Sequence, residues 1–165
     1  MLKIATYPDP ILRQKAEAVE NVNDEIRSLV ENMAEVMYKD DGIGLAAPQV
    51  GVSQRIIVVD AGEGLISLIN PEIIYKGEEK ESMEEGCLSL PGIRVDVLRV
   101  KKITVRGFNE SGETVKMDAE GLLARVFQHE IDHLDGILII DHVSPLHRTF
   151  LRSKLKKLEK EAKTI

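Results

Sequence analysis

The chain has one cysteine in 165 residues, so no disulfide can form within it. Cys87 on its own points to a reducing compartment, most simply the cytoplasm. No apolar run approaches the ~20 residues that a membrane span needs. The opening Met1-Leu2-Lys3-Ile4-Ala5-Thr6 also lacks the basic-then-apolar layout of a secretory leader, so no membrane role is expected. Internal repeats, low-complexity segments and linkers are missing too. One catalytic domain over 1–165 is the expectation, large enough to bury roughly 70% of its unfolded surface. What is present, 43% apolar and 30% charged residues, is the composition of an ordinary globular protein.

The net charge of −6 is unevenly spread. Between 144 and 165 there are seven lysines and arginines (148, 152, 154, 156, 157, 160, 163) against Glu159 and Glu161. That balance of +5 leaves −11 on the other 143 residues. The basic tail is the one segment charged to face nucleic acid, and no direct nucleic-acid specificity is expected of the acidic body.

Apolar spacing predicts a helix over 24–39, capped by Asn23 and stopped at Asp40-Asp41-Gly42. Strands are predicted over 55–60 and 65–70, the second ended by Pro71. Two more, over 101–108 and 113–117, flank the turn Asn109-Glu110-Ser111-Gly112. A second helix is expected to begin near 118–120 and end at Asp135-Gly136. A last one starts at Ser144-Pro145 with the stripe Leu151, Leu155, Leu158 and Ala162. The order of elements predicts an α+β fold with mostly antiparallel sheets around the second helix.

That second helix carries His129-Glu130-Ile131-Asp132-His133. Residues four apart lie one turn apart on one face, so His129 and His133 can present two imidazoles to one metal ion. Glu130, beside them, is placed to take a proton from water polarised by that ion. Leu122, Val126, His129 and His133 share a face and continue an inward apolar stripe. A catalytic metal needs a third protein ligand and an open position. In one common pattern that ligand is a histidine six residues after the second, but here the position holds Ile139. His142 and His147 read as surface residues, and Glu159 and Glu161 lie on the basic tail. Cys87, in the polar stretch Glu84-Glu85-Gly86-Cys87-Leu88-Ser89, is the better ligand, and a thiolate suits Fe, Co, Ni or Zn. The small-residue stretch from Gly42 to Gln49 is either a tight turn or a loop lining a cleft. In the second case Gln49 offers an amide donor to a developing oxyanion.

Taken together, Gly42–Gln49, Glu85–Ser89 and Gln128–His133 resemble the three motifs of the peptide deformylases, in the same order and at compatible spacing. The likeness extends to Pro8-Asp9-Pro10-Ile11-Leu12-Arg13 and covers essentially the whole chain. It implies a peptide deformylase-like fold and a hydrolase that takes the N-formyl group from formylmethionyl nascent peptides. It also implies one Fe(II) on Cys87, His129 and His133, replaceable by Zn, Ni or Co, with Glu130 as base. Gln49 and the Leu88 N–H would stabilise the oxyanion. Ile43, Gly44, Gly86, Leu122, Val126 and Arg94 would form the substrate cleft, with Gly44 pairing to an extended peptide. Arg125 would line the rim of the cleft with its charge in water, and Arg99 would support Asp132. The basic helix over 144–165 would assist docking on the ribosome. A zinc endopeptidase or aminopeptidase sharing the pentapeptide is disfavoured by Ile139 and Cys87. A structural metal domain is disfavoured by the lack of a fourth ligand.

Overall fold

The computed structural model describes residues 2–163. The Asn23 side chain accepts from the Ile26 N–H and opens α1 (Asp24–Lys39), which buries Ile26, Val30, Met33 and Met37 along one face. Seven strands follow: β1 (Gly44–Ala46), β2 (Ile56–Val59), β3 (Ile66–Lys76), β4 (Lys80–Gly86), β5 (Arg94–Val100), β6 (Lys102–Phe108) and β7 (Thr114–Glu120). Five of them form an antiparallel sheet in the order β1-β2-β3-β6-β7, while β4 and β5 make a separate hairpin. Two helices close the chain, α2 (Gly121–Leu134) and α3 (Pro145–Lys163).

The run Ile56-Ile57-Val58-Val59 contains no polar residue because both of its faces are covered. Ile56 and Val58 pack with α1, and Ile57 and Val59 with Phe127, Ile131 and Leu134 of α2. A third apolar cluster lies on the far side of α2. There Val95 and Val97 of the hairpin meet Leu12, Leu138, Ile139, Ile140 and the Leu151 and Leu155 of α3. Helix α2 is thus enclosed between the five-stranded sheet and the hairpin. The result is the expected α+β arrangement of antiparallel sheets around a central helix.

Several boundaries differ from the sequence-based expectation. Strand β3 runs through Pro71 to Lys76 because the ladder shifts register between Ile69 and Glu72, where no N–H is required of the proline. Asn70, at φ 53°, anchors that irregularity by bonding both the N–H and the C=O of Val19. Helix α2 starts at Gly121 rather than at 118–120, since those residues finish β7: Glu120 pairs with Lys102, and Asp118 accepts from Thr104 Oγ1. Strands β1, β4 and β5 were not foreseen. In α3, Ser144 Oγ accepts from the His147 N–H as a cap, Leu151 and Leu155 are buried, and Ala162 is exposed. Residues 164 and 165 of the expected basic segment lie outside the described residues. No helix among the described residues is long and apolar enough to cross a membrane.

Candidate active site

Residues 124–131 of α2 are all buried, so every polar side chain among them needs a partner. His129 and His133 stand one turn apart with ring centroids separated by 5.1 Å. Opposite them is Cys87, one residue beyond the end of β4, with Sγ 3.3 Å from His133 Nε2. Ligand atoms of the three residues all lie within 4.8 Å of one another. Beside them Glu130 Oε1 and His133 Nδ1 are buried with no hydrogen-bond partner among the described residues. Two imidazoles, a thiol and an unpaired buried carboxylate oxygen fit a divalent metal with an open position, far better than a packed structural core.

Electrostatics follow from burial. Burial pushes the Glu130 carboxyl up to about 7, against the opposing charges of His129 and Arg99. Burial, with the His129 and Arg99 charges, holds His133 well below the ordinary histidine range, which keeps it in the neutral form that binds metal. His129 is pushed upward despite its burial, by Glu130, Cys87 and Glu85.

Glu85 organises the surroundings. It is 7% exposed and accepts from Arg99 Nε (2.7 Å) and Nη2 (3.0 Å) and from Arg125 Nη1 (2.6 Å). It also lies 2.9 Å from His129 Nδ1, which leaves Nε2 of that ring to face an ion. Burial opposes ionisation of Glu85, yet the bonds and charges of His129 and Arg99 hold its carboxyl well below the usual carboxylate range. Arg99 Nη1 also donates to Asp132 at 2.9 Å, the expected supporting pair. Gln49, 1% exposed in the 3-10 turn Ala47–Val50, accepts from the Ala46 N–H through Oε1 at 2.9 Å. Its Nε2 is thereby turned toward Cys87 Sγ (3.6 Å) and Ser89 Oγ (3.2 Å).

A cleft of about 580 Å³ opens above these groups, between the 41–44 segment, the β4–β5 hairpin and α2. Ile43, Gly44, Gly86, Leu122, Val126 and Arg94 all line it, together with Gln49, Cys87, Leu88, His129 and Glu130. Leu122 is not an inward residue: at 45% exposure it stands at the mouth, as does Ile43 at 46%. Arg94 is exposed, with its Nε on Glu84 Oε1 at 2.7 Å. Gly44 is a packing necessity, since a Cβ there would lie 2.8 Å from Val126 Cγ1 and against the Glu130 carboxylate.

Arg125 corrects an expectation. It borders the cleft, but its charge is not in water: the residue is 6% exposed. The guanidinium donates to Glu85, to the Val97 carbonyl (2.8 Å) and to the Glu81 carbonyl (2.6 Å). Ile139 is buried in the third apolar cluster, and His142 is engaged with Asp132 at 2.8 Å. Sequence reasoning passed over Glu85 and Ser89. Their signal was adjacency to Gly86-Cys87, which gave no hint of partners on α2 and in the Gln49 turn.

Comparison with known proteins agrees with this geometry. Residues 1–149 match the family model described as polypeptide deformylase. A peptide deformylase of Halothermothrix orenii is 59% identical over 145 residues, covering 87% of this chain and 94% of that protein. That of Thermotoga maritima is 48% identical over 163 residues, 99% of both chains. Among solved structures, the Thermotoga maritima peptide deformylase superposes with a TM-score of 0.86 at 50% identity, covering 88% of this chain and 99% of that one. A plant peptide deformylase reaches 0.94 at 39% identity, covering 99% and 91%.

Proposed function

The chain belongs to the polypeptide deformylase family, metal-dependent hydrolases that free the amino terminus of nascent polypeptides from its formyl group, and we propose that Cys87, His129 and His133 hold its metal while Glu130 moves the proton. The observation that carries this reading is the Cys-His-His donor set beside an unpaired, buried Glu130 oxygen at the floor of an open cleft. The donors suit one Fe(II) per chain, with Zn, Ni or Co able to occupy the same set. Such an ion supplies Lewis acidity toward water and toward the formyl carbonyl.

The chain's own residues supply the rest. Ile43, Leu122 and Val126 offer an apolar pocket to the methionine side chain. The outer edge of β1 at Gly44 offers backbone groups to an extended peptide, between the strand and Gly86 and Arg94 of the hairpin. Glu130 takes a proton from the attacking water as the C–O bond forms. Gln49 Nε2 and the Leu88 N–H donate to the oxyanion that develops on the formyl oxygen. When the C–N bond breaks, Glu130 returns the proton to the departing amine, leaving formate and a free amino terminus. Residues 1–165 work as one catalytic domain in the cytoplasm, where nascent chains emerge and a lone thiol stays reduced. The basic face of α3 docks on the ribosome.

The test is formate release from formyl-Met-Ala-Ser by protein loaded anaerobically with iron. Release is expected from the parent. Cys87→Ser is expected to lose both metal retention and turnover while remaining folded. A fully metallated, folded parent that releases no formate would overturn the reading.

A further inference from the structure

We infer that Arg125 is a positioning residue of the metal site: it locks the β4–β5 hairpin, which carries the cysteine ligand, in register with α2, which carries the histidines. The inference rests on the reading that Cys87, His129 and His133 hold the metal. Its physical basis is that the three ligands come from elements with no backbone hydrogen bonds between them. The histidines ride on α2, which packs on the five-stranded sheet, whereas Cys87 follows β4 in a hairpin that joins no other strand. A two-stranded hairpin is marginal by itself and takes its position from what ties it down. A small slide along α2 would move Sγ relative to both imidazoles, and a metal site tolerates only about 0.2 Å in its bond lengths.

Two arginines cross that boundary in opposite directions. Arg99 leaves β5 and reaches Asp132 on α2. Arg125 leaves α2 and reaches both hairpin strands at once, through the Glu81 carbonyl on β4 and the Val97 carbonyl on β5. Both arginines also close on Glu85, the carboxylate that orients His129 Nδ1. The guanidinium meets its three acceptors from two rigidly spaced nitrogens, Nη1 and Nη2, whereas an ammonium has three donors on a single nitrogen and a shorter reach. Arg125 is 6% exposed, so these bonds form in a site shielded from water, where each counts for more than on the surface. Glu85, which bonds His129 directly, is the kind of partner whose loss typically changes metal affinity 10–100-fold, and Arg125 helps to hold it in place.

The test uses the Co(II)-loaded holoprotein and measures transfer of cobalt to a chelator in excess, alongside the absorption of the cobalt–thiolate chromophore. Arg125→Met is expected to release cobalt about 10–100-fold faster than the parent, with an altered thiolate band. Arg125→Lys, which keeps the charge but not the three-way fork, is expected to fall between Met and the parent. Arg106→Met, which breaks an exposed pair with Glu72, is expected to match the parent. Parental release and an unchanged chromophore in folded Arg125→Met would overturn the inference. Should that variant not fold, Arg125→Lys decides by the same two readouts, and failure of both to fold would mark Arg125 as an ordinary buried structural ion and overturn it as well. If instead the parent takes up no cobalt through a thiolate, it is the ligand assignment that fails.

Discussion

Gly44 owes its identity to what stands opposite it. The sequence offered two readings of its loop, a tight turn or the wall of a cleft, and the structure shows a strand pressed so closely against Val126 and Glu130 that no Cβ fits. Gly44→Ala should therefore displace the Glu130 carboxylate while leaving the three ligand side chains alone. We expect kcat/KM to fall roughly 10²-fold with metal content unchanged, as steady-state kinetics and metal analysis would show. Undiminished turnover would mean that the carboxylate has freedom the packing denies it. The Cys-His-His group was legible at this scale because helical spacing alone brings His129 and His133 together, and Cys87 is the chain's one thiol. The surroundings were not. Glu85 lies 44 positions from His129, and Arg125 finds acceptors at 81, 85 and 97, so its burial is a property of the fold and not of its own segment.

Among the elements, those with strong local signals were read correctly in kind, and those defined by partners were missed. The Asn23 cap and five buried apolar residues announce α1. Strand β4, by contrast, is Lys-Glu-Ser-Met-Glu-Glu-Gly, and only Glu85 of it is buried. Its pairing with β5 and the Arg125 bonds make it a strand, and no propensity of its own sequence does so. Helix α3 has two roles to separate. Leu151 and Leu155 hold it in the third apolar cluster, and Glu159 accepts from the Tyr7 hydroxyl at 3.0 Å. Removing the helix would therefore strip a core, so its proposed docking role is better probed by charge. Arg152→Glu with Lys156→Glu, both exposed, should weaken sedimentation with ribosomes by about tenfold or more at low salt. Formate release from a short formyl peptide should remain at the parental rate. Unchanged sedimentation would remove the docking role and leave deformylation untouched.

The molecule as a whole is three apolar clusters, the first of which takes in the apolar residues of α2, tied across their seams by side chains from distant parts of the chain. One such tie joins the N-terminal segment to the turn after α2, where Arg13 pairs with Asp141 and donates to the Gly136 carbonyl. Burial alone would raise the Asp141 carboxyl, but the Arg13 bond, the Leu138 N–H and the charges of Arg13 and Arg148 outweigh it and hold the group below its usual 3.8. A carboxyl lowered by folding stabilises above its unfolded value, and that stability is lost as pH falls through the folded one. Asp141→Asn should thus cost about 1 kcal/mol at pH 7, modest because both partners are partly solvated, and the deficit should shrink below about pH 4 in denaturant melts. An equal deficit at pH 3 and pH 7 would contradict this. On the proposed reading, Glu130 of α2 moves the proton, and Cys87, His129 and His133 hold the metal without it. That claim is tested most directly by Glu130→Gln, assayed for metal content and for kcat/KM across pH. Full metal occupancy, a loss of about 10²–10⁴-fold and disappearance of the parent's rise in rate as pH climbs toward about 7 are predicted. A metallated Glu130→Gln that keeps parental turnover and the same acid limb would contradict the account.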